Sequence, residues 1–128
     1  MKTEKKILIV EDEISLKKAL VDKLTREGFE VLEASNGEEG LQIALEEVPD
    51  LILLDIVMPK MDGITMFKHL RANKKGRYIG VIILSNLADN ERSIAAMGIG
   101  AHDYLIKTNW SLRDVLKKIR KYFAEHPE

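Results

Sequence analysis

The chain has 128 residues, of which 45% are hydrophobic and 32% charged, and its formal net charge is −1. This length suits one domain with a substantial core, and the composition excludes an intrinsically disordered chain. The near-neutral charge argues against a strongly basic surface for nucleic acid. Cysteine is absent, which excludes a disulfide framework, a thiolate metal site and a cysteine nucleophile, and fits a reducing compartment.

The apolar stretches are short, because charged or flexible residues such as Asp55 and Gly80 interrupt them. A membrane span needs about 20 apolar residues, so none is predicted. Residues 1–6 include four charged side chains and lead straight into a short apolar run, without the longer apolar segment of a secretory signal. We therefore expect a cytoplasmic protein with no membrane contact, and a single domain over 1–128 with no effector domain.

Short runs rich in leucine and β-branched residues alternate with segments of helical period. This alternation is typical of a parallel α/β sheet covered on both faces. Strands are predicted near residues 6–10, 30–34, 50–54, 79–84 and 103–106. Helices are predicted over about 14–27, 37–47, 63–73, 88–97 and 112–123.

Individual residues mark several helix ends. Gly28 stands where a left-handed residue would end the first helix, and Asn36 stands where the second helix needs an N-terminal cap. Ser111 and Asp114 have the spacing of a capping box at the start of the last helix. The apolar stripe of that helix follows helical spacing and comprises Leu112, Val115, Leu116, Ile119 and Phe123.

Polar side chains follow the apolar runs at one predicted edge of the sheet. Glu11 and Asp12 come directly after the first run, and Asp55 closes the third. Ser85 and Lys107 close two later runs. Because the carboxyl ends of parallel strands open on a common crevice, we expect these side chains to meet there.

Three converging carboxylates repel one another in a partly desolvated crevice, so they require a compensating cation. Oxygen ligands of this kind suit Mg²⁺, which together with Lys107 would neutralise them and attract a phosphate group. Taken singly, Glu11 and Asp12 are equally consistent with acids that favour the positive end of the next helix. Asp55 alone is more typical of a turn. The convergence favours the metal site.

The run Asp55–Gly63, DIVMPKMDG, is specific, and over essentially its whole length the chain resembles the receiver domain of bacterial two-component response regulators. The resemblance implies a flavodoxin-like doubly wound α/β fold, with a five-stranded parallel sheet of order 2-1-3-4-5 and five helices. It implies a stand-alone phosphoprotein in phosphorelay signal transduction, switched by phosphorylation. It also implies that the protein is not an enzyme beyond catalysing its own phosphorylation and slow dephosphorylation.

The same resemblance gives each residue of the crevice a role. Asp55 becomes the phosphoacceptor, which takes a phosphoryl group from a histidine kinase or a phosphotransfer protein. Ser85 and Lys107 bind the phosphoryl oxygens, and Tyr104 changes rotamer on activation. The implied Mg²⁺ ligands are Glu11, Asp12, Asp55 and the backbone carbonyl of Val57.

The implied partners are a sensor histidine kinase or phosphotransfer protein and a downstream protein, without direct contact to nucleic acid. A phosphorylation-dependent homodimer is left open. By resemblance, the fourth helix, fifth strand and fifth helix form the output face, which makes Arg113, Lys117 and Lys121 candidates for partner contact. These basic residues are also consistent with an ordinary solvated helix face.

Three residues depart from the family's pattern. Glu11 stands where Asp is commoner, and Asn86 replaces a small residue beside the phosphoryl group. Thr108 replaces a proline whose peptide bond with the lysine is usually cis, and a non-proline cis bond costs about 2.5–4 kcal/mol. With Glu11, metal binding is expected to survive, whereas Asn86 and Thr108 keep open a phosphorylation-independent pseudo-receiver that serves as an interaction module. The apolar side chains of Val57 and Leu87 support a hypothesis of slow autodephosphorylation.

Two other classes fit the chain less well. A hydrolase with an aspartyl nucleophile after the first strand needs a second Asp two residues beyond Asp12, where Ile14 stands. A flavin-binding protein of the same strand order needs a glycine-rich or hydroxyl-rich phosphate loop, which does not follow the first strand. His69, His102 and His126 lack the spacing of metal ligands and are assigned no chemistry.

Overall fold

In the computed structural model, which describes residues 4–85, 90–107 and 111–127, strands and helices alternate along the chain. The strands are β1 (Lys6–Val10), β2 (Glu30–Ala34), β3 (Leu51–Asp55), β4 (Gly80–Ser85) and β5 (Asp103–Ile106). The helices are α1 (Ile14–Arg26), α2 (Gly37–Glu47), α3 (Gly63–Ala72), α4 (Asn90–Ile99) and α5 (Leu112–Glu125). Among these described residues, no helix has the length and apolarity to cross a membrane.

All neighbouring strands run parallel, and the sheet order is β2-β1-β3-β4-β5. This order confirms the predicted flavodoxin-like arrangement. The chain adds β2 on one side of β1, and then adds β3, β4 and β5 in turn on the other side. The carboxyl ends of β1 and β3 therefore flank the point where a crevice opens. The residues that follow these two strands are therefore placed to form a site.

Alternate strand residues fill two separate cores, one on each face of the sheet. Leu8, Ile52 and Ile83 point to the face covered by α2, α3 and α4. Ile9 and Leu53 point to the opposite face, which α1 and α5 cover. Because β1, β3 and β4 are buried on both faces, their interior residues are apolar, and polar residues stand only at strand ends, as Lys6, Asp55 and Ser85 do.

The predicted helix ends are confirmed. Gly28 has φ 96°, and the Asn36 side chain accepts a hydrogen bond from the backbone N–H of Glu39 at 2.8 Å. At the start of α5, Ser111 and Asp114 form the reciprocal capping box. These caps fix where each helix leaves the sheet edge and so set the lengths of the connecting loops.

Two strands extend one residue further than the sequence pattern predicts. The ladder continues to the pairs Asp55 with Leu84 and Ser85 with Ile106, so Asp55 and Ser85 are themselves strand residues. Backbone pairing, which hydropathy does not report, holds these two polar side chains on the rigid sheet. The helix predicted from residue 88 is described from Asn90, and residues 88–89 lie outside the described ranges.

The loop between β3 and α3 is held tightly against the strand it leaves. The backbone N–H of Gly63 donates to the carbonyl of Ile56 at 2.8 Å, and that of Gly37 donates to Met61 at 2.9 Å. A Cβ atom at Gly63 would lie 2.2 Å from the carbonyl oxygen of Asp55, well inside van der Waals contact. Glycine at this position therefore allows the start of α3 to pack directly on the end of β3.

This contact predicts that Gly63→Ala lowers the free energy of unfolding by about 1–3 kcal/mol, the usual cost of forcing extra volume into a packed site. The added methyl meets backbone, which has little freedom to move. Urea denaturation monitored by circular dichroism measures the change.

Gly98→Ala is the matched control, since a Cβ at that α4 position meets nothing within 4 Å. Its stability should be unchanged or raised by up to about 1 kcal/mol, because alanine is the better helix former. A Gly63→Ala protein as stable as the wild type would contradict the close approach described above.

Candidate functional site

Three charged side chains from different strands meet at the carboxyl edge of the sheet. Glu11 follows β1, Asp55 ends β3 and Lys107 follows β5. Lys107 Nζ lies 2.9 Å from Glu11 Oε1 and 3.1 Å from Asp55 Oδ2. Because β4 lies between β3 and β5, both contacts cross a strand that contributes neither partner. It ties three parts of the sheet together at one point.

Two of the carboxylates are withdrawn from solvent. Glu11 is 0% exposed and Asp55 is 3% exposed, whereas Asp12 is exposed. The backbone N–H of Glu13 donates to Glu11 Oε2 at 3.0 Å. Glu11 Oε1 contacts Lys107 as an ion pair but has no hydrogen bond of good geometry to any described residue. With the lysine as its one described contact, this oxygen keeps unused capacity to bind a cation.

The crowding of charge changes the acidity of the site. Burial raises the pKa of Asp55 to about 7, with the charge of Glu11 acting in the same direction and Lys107 opposing both. Burial acts to lower the pKa of Lys107, but its contacts with Glu11 and Asp55 outweigh burial and raise that pKa. The lysine therefore stays charged, while the carboxyl of Asp55 holds a proton up to near-neutral pH unless a further cation is present.

The acidic cluster fits a divalent cation. Carboxylate oxygens of Glu11, Asp12 and Asp55 all lie within 4.8 Å of one another. Three carboxylates against one lysine leave two negative charges uncompensated, and the donor atoms are all oxygen, the ligands that hard cations prefer. The cluster could therefore hold a metal ion. Val57 was expected to add its backbone carbonyl as a further ligand. It lies two residues beyond Asp55 and is 46% exposed. Its role as a ligand stays a prediction.

Ser85 stands at the same edge, at the end of β4. The residue is 1% exposed, and its Oγ has no hydrogen-bond partner among the described residues. The preceding residue, Leu84, pairs with Asp55 in the ladder, so the serine is the next position along a strand adjacent to the aspartate. A buried hydroxyl without a partner is available to an oxygen acceptor that enters the crevice.

Tyr104 lies outside the core, in the middle of β5. It is 40% exposed and lines a surface groove together with Ile106, Asp114 and Lys117. The backbone N–H of Tyr104 donates to the side chain of Asp103 at 2.8 Å. The ring therefore starts from an outward position on the face of β5 and α5, and its change of rotamer stays a prediction.

Some predicted features fall outside the described residues. These are Asn86 and Leu87 after β4, and Thr108 after Lys107. Whether the Lys107–Thr108 peptide bond is cis therefore stays untested. Among the peptide bonds that the structure describes, none is cis.

The structure also brings together residues that the sequence pattern left unassigned. His102, Glu125 and His126 offer ligand atoms within 4.8 Å of one another, at the opposite end of the sheet from Asp55. The two histidines are 24 positions apart, so no local spacing signalled their contact. Only the packing of α5 beside β5 places them together.

Residues 7–120 match the family model of the response regulator receiver domain. The chain belongs to this family. The matched range includes Glu11, Asp55, Ser85 and Lys107, so the buried crevice lies within it.

Three similar proteins illustrate the relationship. The chain is 38% identical over 120 residues to a probable transcriptional regulator, ycf27, of Guillardia theta, covering 94% of this chain and 46% of the relative. It is 39% identical over 116 residues to the alkaline phosphatase synthesis transcriptional regulatory protein PhoP of Bacillus subtilis, covering 91% and 47%. This chain thus spans about half the length of the curated relatives it matches.

Among solved structures, a CheY-like response regulator receiver domain protein from Methanospirillum hungatei is similar, with a TM-score of 0.87 and 31% identity. The similarity covers 96% of each chain. The two chains therefore share the fold over nearly their whole lengths.

The raised pKa of Asp55 predicts how stability depends on pH. Aspartate ordinarily titrates near 3.8, so between about pH 4 and pH 7 the folded protein keeps a proton that the unfolded chain has lost. The free energy of unfolding should fall as pH rises through this window. Asp55→Asn cannot ionise, and in EDTA at about pH 8 it should be more stable than wild type by about 1–3 kcal/mol.

Urea unfolding near pH 3.8 and well above pH 7 measures the difference, which should vanish at the lower pH. Asp22→Asn is the control, because its carboxylate is 59% exposed and its effect should stay within about 0.5 kcal/mol. A wild type as stable as Asp55→Asn at the higher pH would contradict the raised pKa of Asp55.

Proposed function

We propose that this protein is a phosphorylation-switched receiver in which Asp55 accepts a phosphoryl group in a Mg²⁺-dependent reaction. The observation that carries the proposal is the contact of a buried carboxylate, Asp55, with the Lys107 ammonium at 3.1 Å, beside an acidic pair able to hold a metal ion. A nucleophile and a fixed positive charge are thus already in place. Membership in the receiver family supports the assignment.

The reaction needs positioning and charge neutralisation more than covalent help. A carboxylate oxygen of Asp55 attacks phosphorus, a P–O bond forms, and the P–N bond of the donor phosphohistidine breaks. The departing imidazole keeps the electron pair of that bond and takes a proton from solvent. The Lys107 ammonium balances negative charge on the transferred oxygens. When bound by Glu11, Asp12 and Asp55, Mg²⁺ supplies further positive charge to the same oxygens.

After transfer, the buried Ser85 hydroxyl donates to a phosphoryl oxygen and gains the partner it lacks among the described residues. Its shift toward the phosphoryl group opens space beside β4. Tyr104 turns from its exposed position into that space and changes the face formed by α4, β5 and α5. A small local change of charge is thereby converted into a change of protein affinity.

The proposed phosphodonor is a sensor histidine kinase or a phosphotransfer protein, and the output is contact with a downstream protein, a second copy being one candidate. A net charge of −1 argues against direct binding of nucleic acid. We place this signalling in the cytoplasm. The chain turns over no external substrate beyond its own phosphorylation and slow dephosphorylation.

A second candidate concerns the output. The curated relatives ycf27 and PhoP are named transcriptional regulators, and each is about twice as long as the segment they share with this chain. These names favour a receiver that controls transcription through a neighbouring segment rather than a stand-alone signalling protein. Both candidates depend on the same chemistry at Asp55, whereas a pseudo-receiver would not.

Phosphorylation is tested by incubating the protein with acetyl phosphate and Mg²⁺ and reading its intact mass. Wild type should gain about 80 Da, the mass of one phosphoryl group, and Asp55→Asn should gain nothing. Asp62→Asn is the matched control, because this neighbouring aspartate caps α3 and asparagine caps equally well. Its gain should equal that of wild type.

A wild type that gains no mass with Mg²⁺ present, or an Asp55→Asn protein that does gain about 80 Da, would overturn the proposal. The first result would favour the pseudo-receiver, and the second would move the acceptor elsewhere.

The lifetime of the phosphorylated state depends on access of water to phosphorus. Val57 lies two residues beyond Asp55 with an apolar, half-exposed side chain, which cannot orient an attacking water. We expect slow autodephosphorylation, and a several-fold shorter half-life in Val57→Asn, whose amide can hold water near the site. Decay of the phosphorylated mass measures both. A half-life of seconds that Val57→Asn fails to shorten would contradict this role.

A further inference from the structure

A group of metal-ligating side chains lies at the amino end of the sheet, apart from the acidic cluster. His102 directly precedes β5, Glu125 is the last residue of α5, and His126 follows it. One ligand atom from each lies within 4.8 Å of the other two. The length of β5, about 15 Å, separates His102 from Lys107, so the two sites are independent.

The spacing of the first pair matches that of ligands around one ion. His102 Nε2 is 3.3 Å from Glu125 Oε1. Two atoms each about 2.1 Å from a tetrahedral ion are about 3.4 Å apart. An ion pair with protonated His102 also fits this distance, but it gives no role to a second imidazole. His126 supplies that second imidazole, also within reach.

A backbone carbonyl engages one ring nitrogen of His126. Its Nδ1 lies 2.9 Å from the carbonyl oxygen of Tyr122. In the tautomer that carries the proton on Nδ1, this N–H donates to the carbonyl and Nε2 keeps its lone pair. Metal-binding histidines are commonly fixed in this way by a hydrogen bond from the opposite ring nitrogen.

Packing holds both imidazoles in place. The Tyr122 ring, 8% exposed, stacks on His126 with 4.2 Å between centroids and meets the edge of His102 at 4.8 Å. The backbone N–H of His102 donates to the carbonyl of Val81 at 2.8 Å. His126 has φ −131° and ψ 66°, so the chain leaves the helix there, which allows it to converge with the adjacent Glu125.

We propose that His102, Glu125 and His126 bind a divalent transition-metal ion, with Zn²⁺ as the ion of choice. Imidazole nitrogen and carboxylate oxygen are its ordinary ligands, and three protein ligands leave a fourth position for water. The acidic cluster, which offers only oxygen, selects harder cations instead. Zn²⁺ bound here links the end of α5 to the start of β5 and stabilises the last helical turn.

The test is a Zn²⁺ titration of the full chain in excess Mg²⁺, at a pH above the ordinary imidazole value of about 6.5. The chain has three histidines, so their Cε1–H NMR resonances report each one separately. With one equivalent of Zn²⁺, the resonances of His102 and His126 should shift, whereas that of His69, exposed on α3, should not.

Calorimetry then compares variants. His102→Gln and His126→Gln should each weaken Zn²⁺ binding at least about tenfold, and His69→Gln should leave it unchanged. Glu125→Gln, at a side chain 48% exposed, should also weaken binding without disturbing the ring packing, which guards against a variant that merely misfolds. Unchanged affinity in the His102 and His126 variants, or equal shifts of all three histidines, would show adventitious surface binding and overturn the proposal.

Discussion

The contacts of Lys107 with Glu11 and Asp55 are the interaction on which the rest of the structure depends. Two carboxylates withdrawn from solvent are tolerated because one ammonium group lies within 3.1 Å of both. The compensation is incomplete, since the exposed Asp12 adds a further negative charge to the cluster. Burial, and after it the charge of Glu11, raises the pKa of Asp55 to about 7. The uncompensated charge gives the crevice its capacity for a cation.

The fold holds these charged side chains together on a rigid sheet edge. Strands β1, β3 and β4 are buried on both faces, so their polar ends are held by the sheet itself and not by mobile loops. Gly63 lets α3 pack against the Asp55 carbonyl, which limits movement of the Asp55 backbone. Ser85 is likewise fixed by the β4 ladder with its hydroxyl unsatisfied. A rigid edge with unmet charge and hydrogen-bonding capacity is what the proposed phosphoryl transfer to Asp55 needs.

The sequence predicted this edge well because parallel topology converts position along the chain into position in space. Glu11, Asp55 and Lys107 each follow an apolar run, and the carboxyl ends of parallel strands must meet. The same reasoning ended two strands one residue early, because hydropathy cannot register that Asp55 still pairs with Leu84. The contact of His102 with His126 was missed altogether, since it depends on how α5 packs against β5 and on where that helix ends.

The central proposal, that this incompletely compensated acidic site binds a divalent cation, is tested most directly by measuring stability against Mg²⁺ concentration. At constant ionic strength, the free energy of unfolding of the wild type should rise by about 1.4 kcal/mol for each tenfold increase in Mg²⁺ above its dissociation constant. The rise should be much smaller in Asp55→Asn. Equal responses of the two proteins, or none in the wild type, would contradict the account.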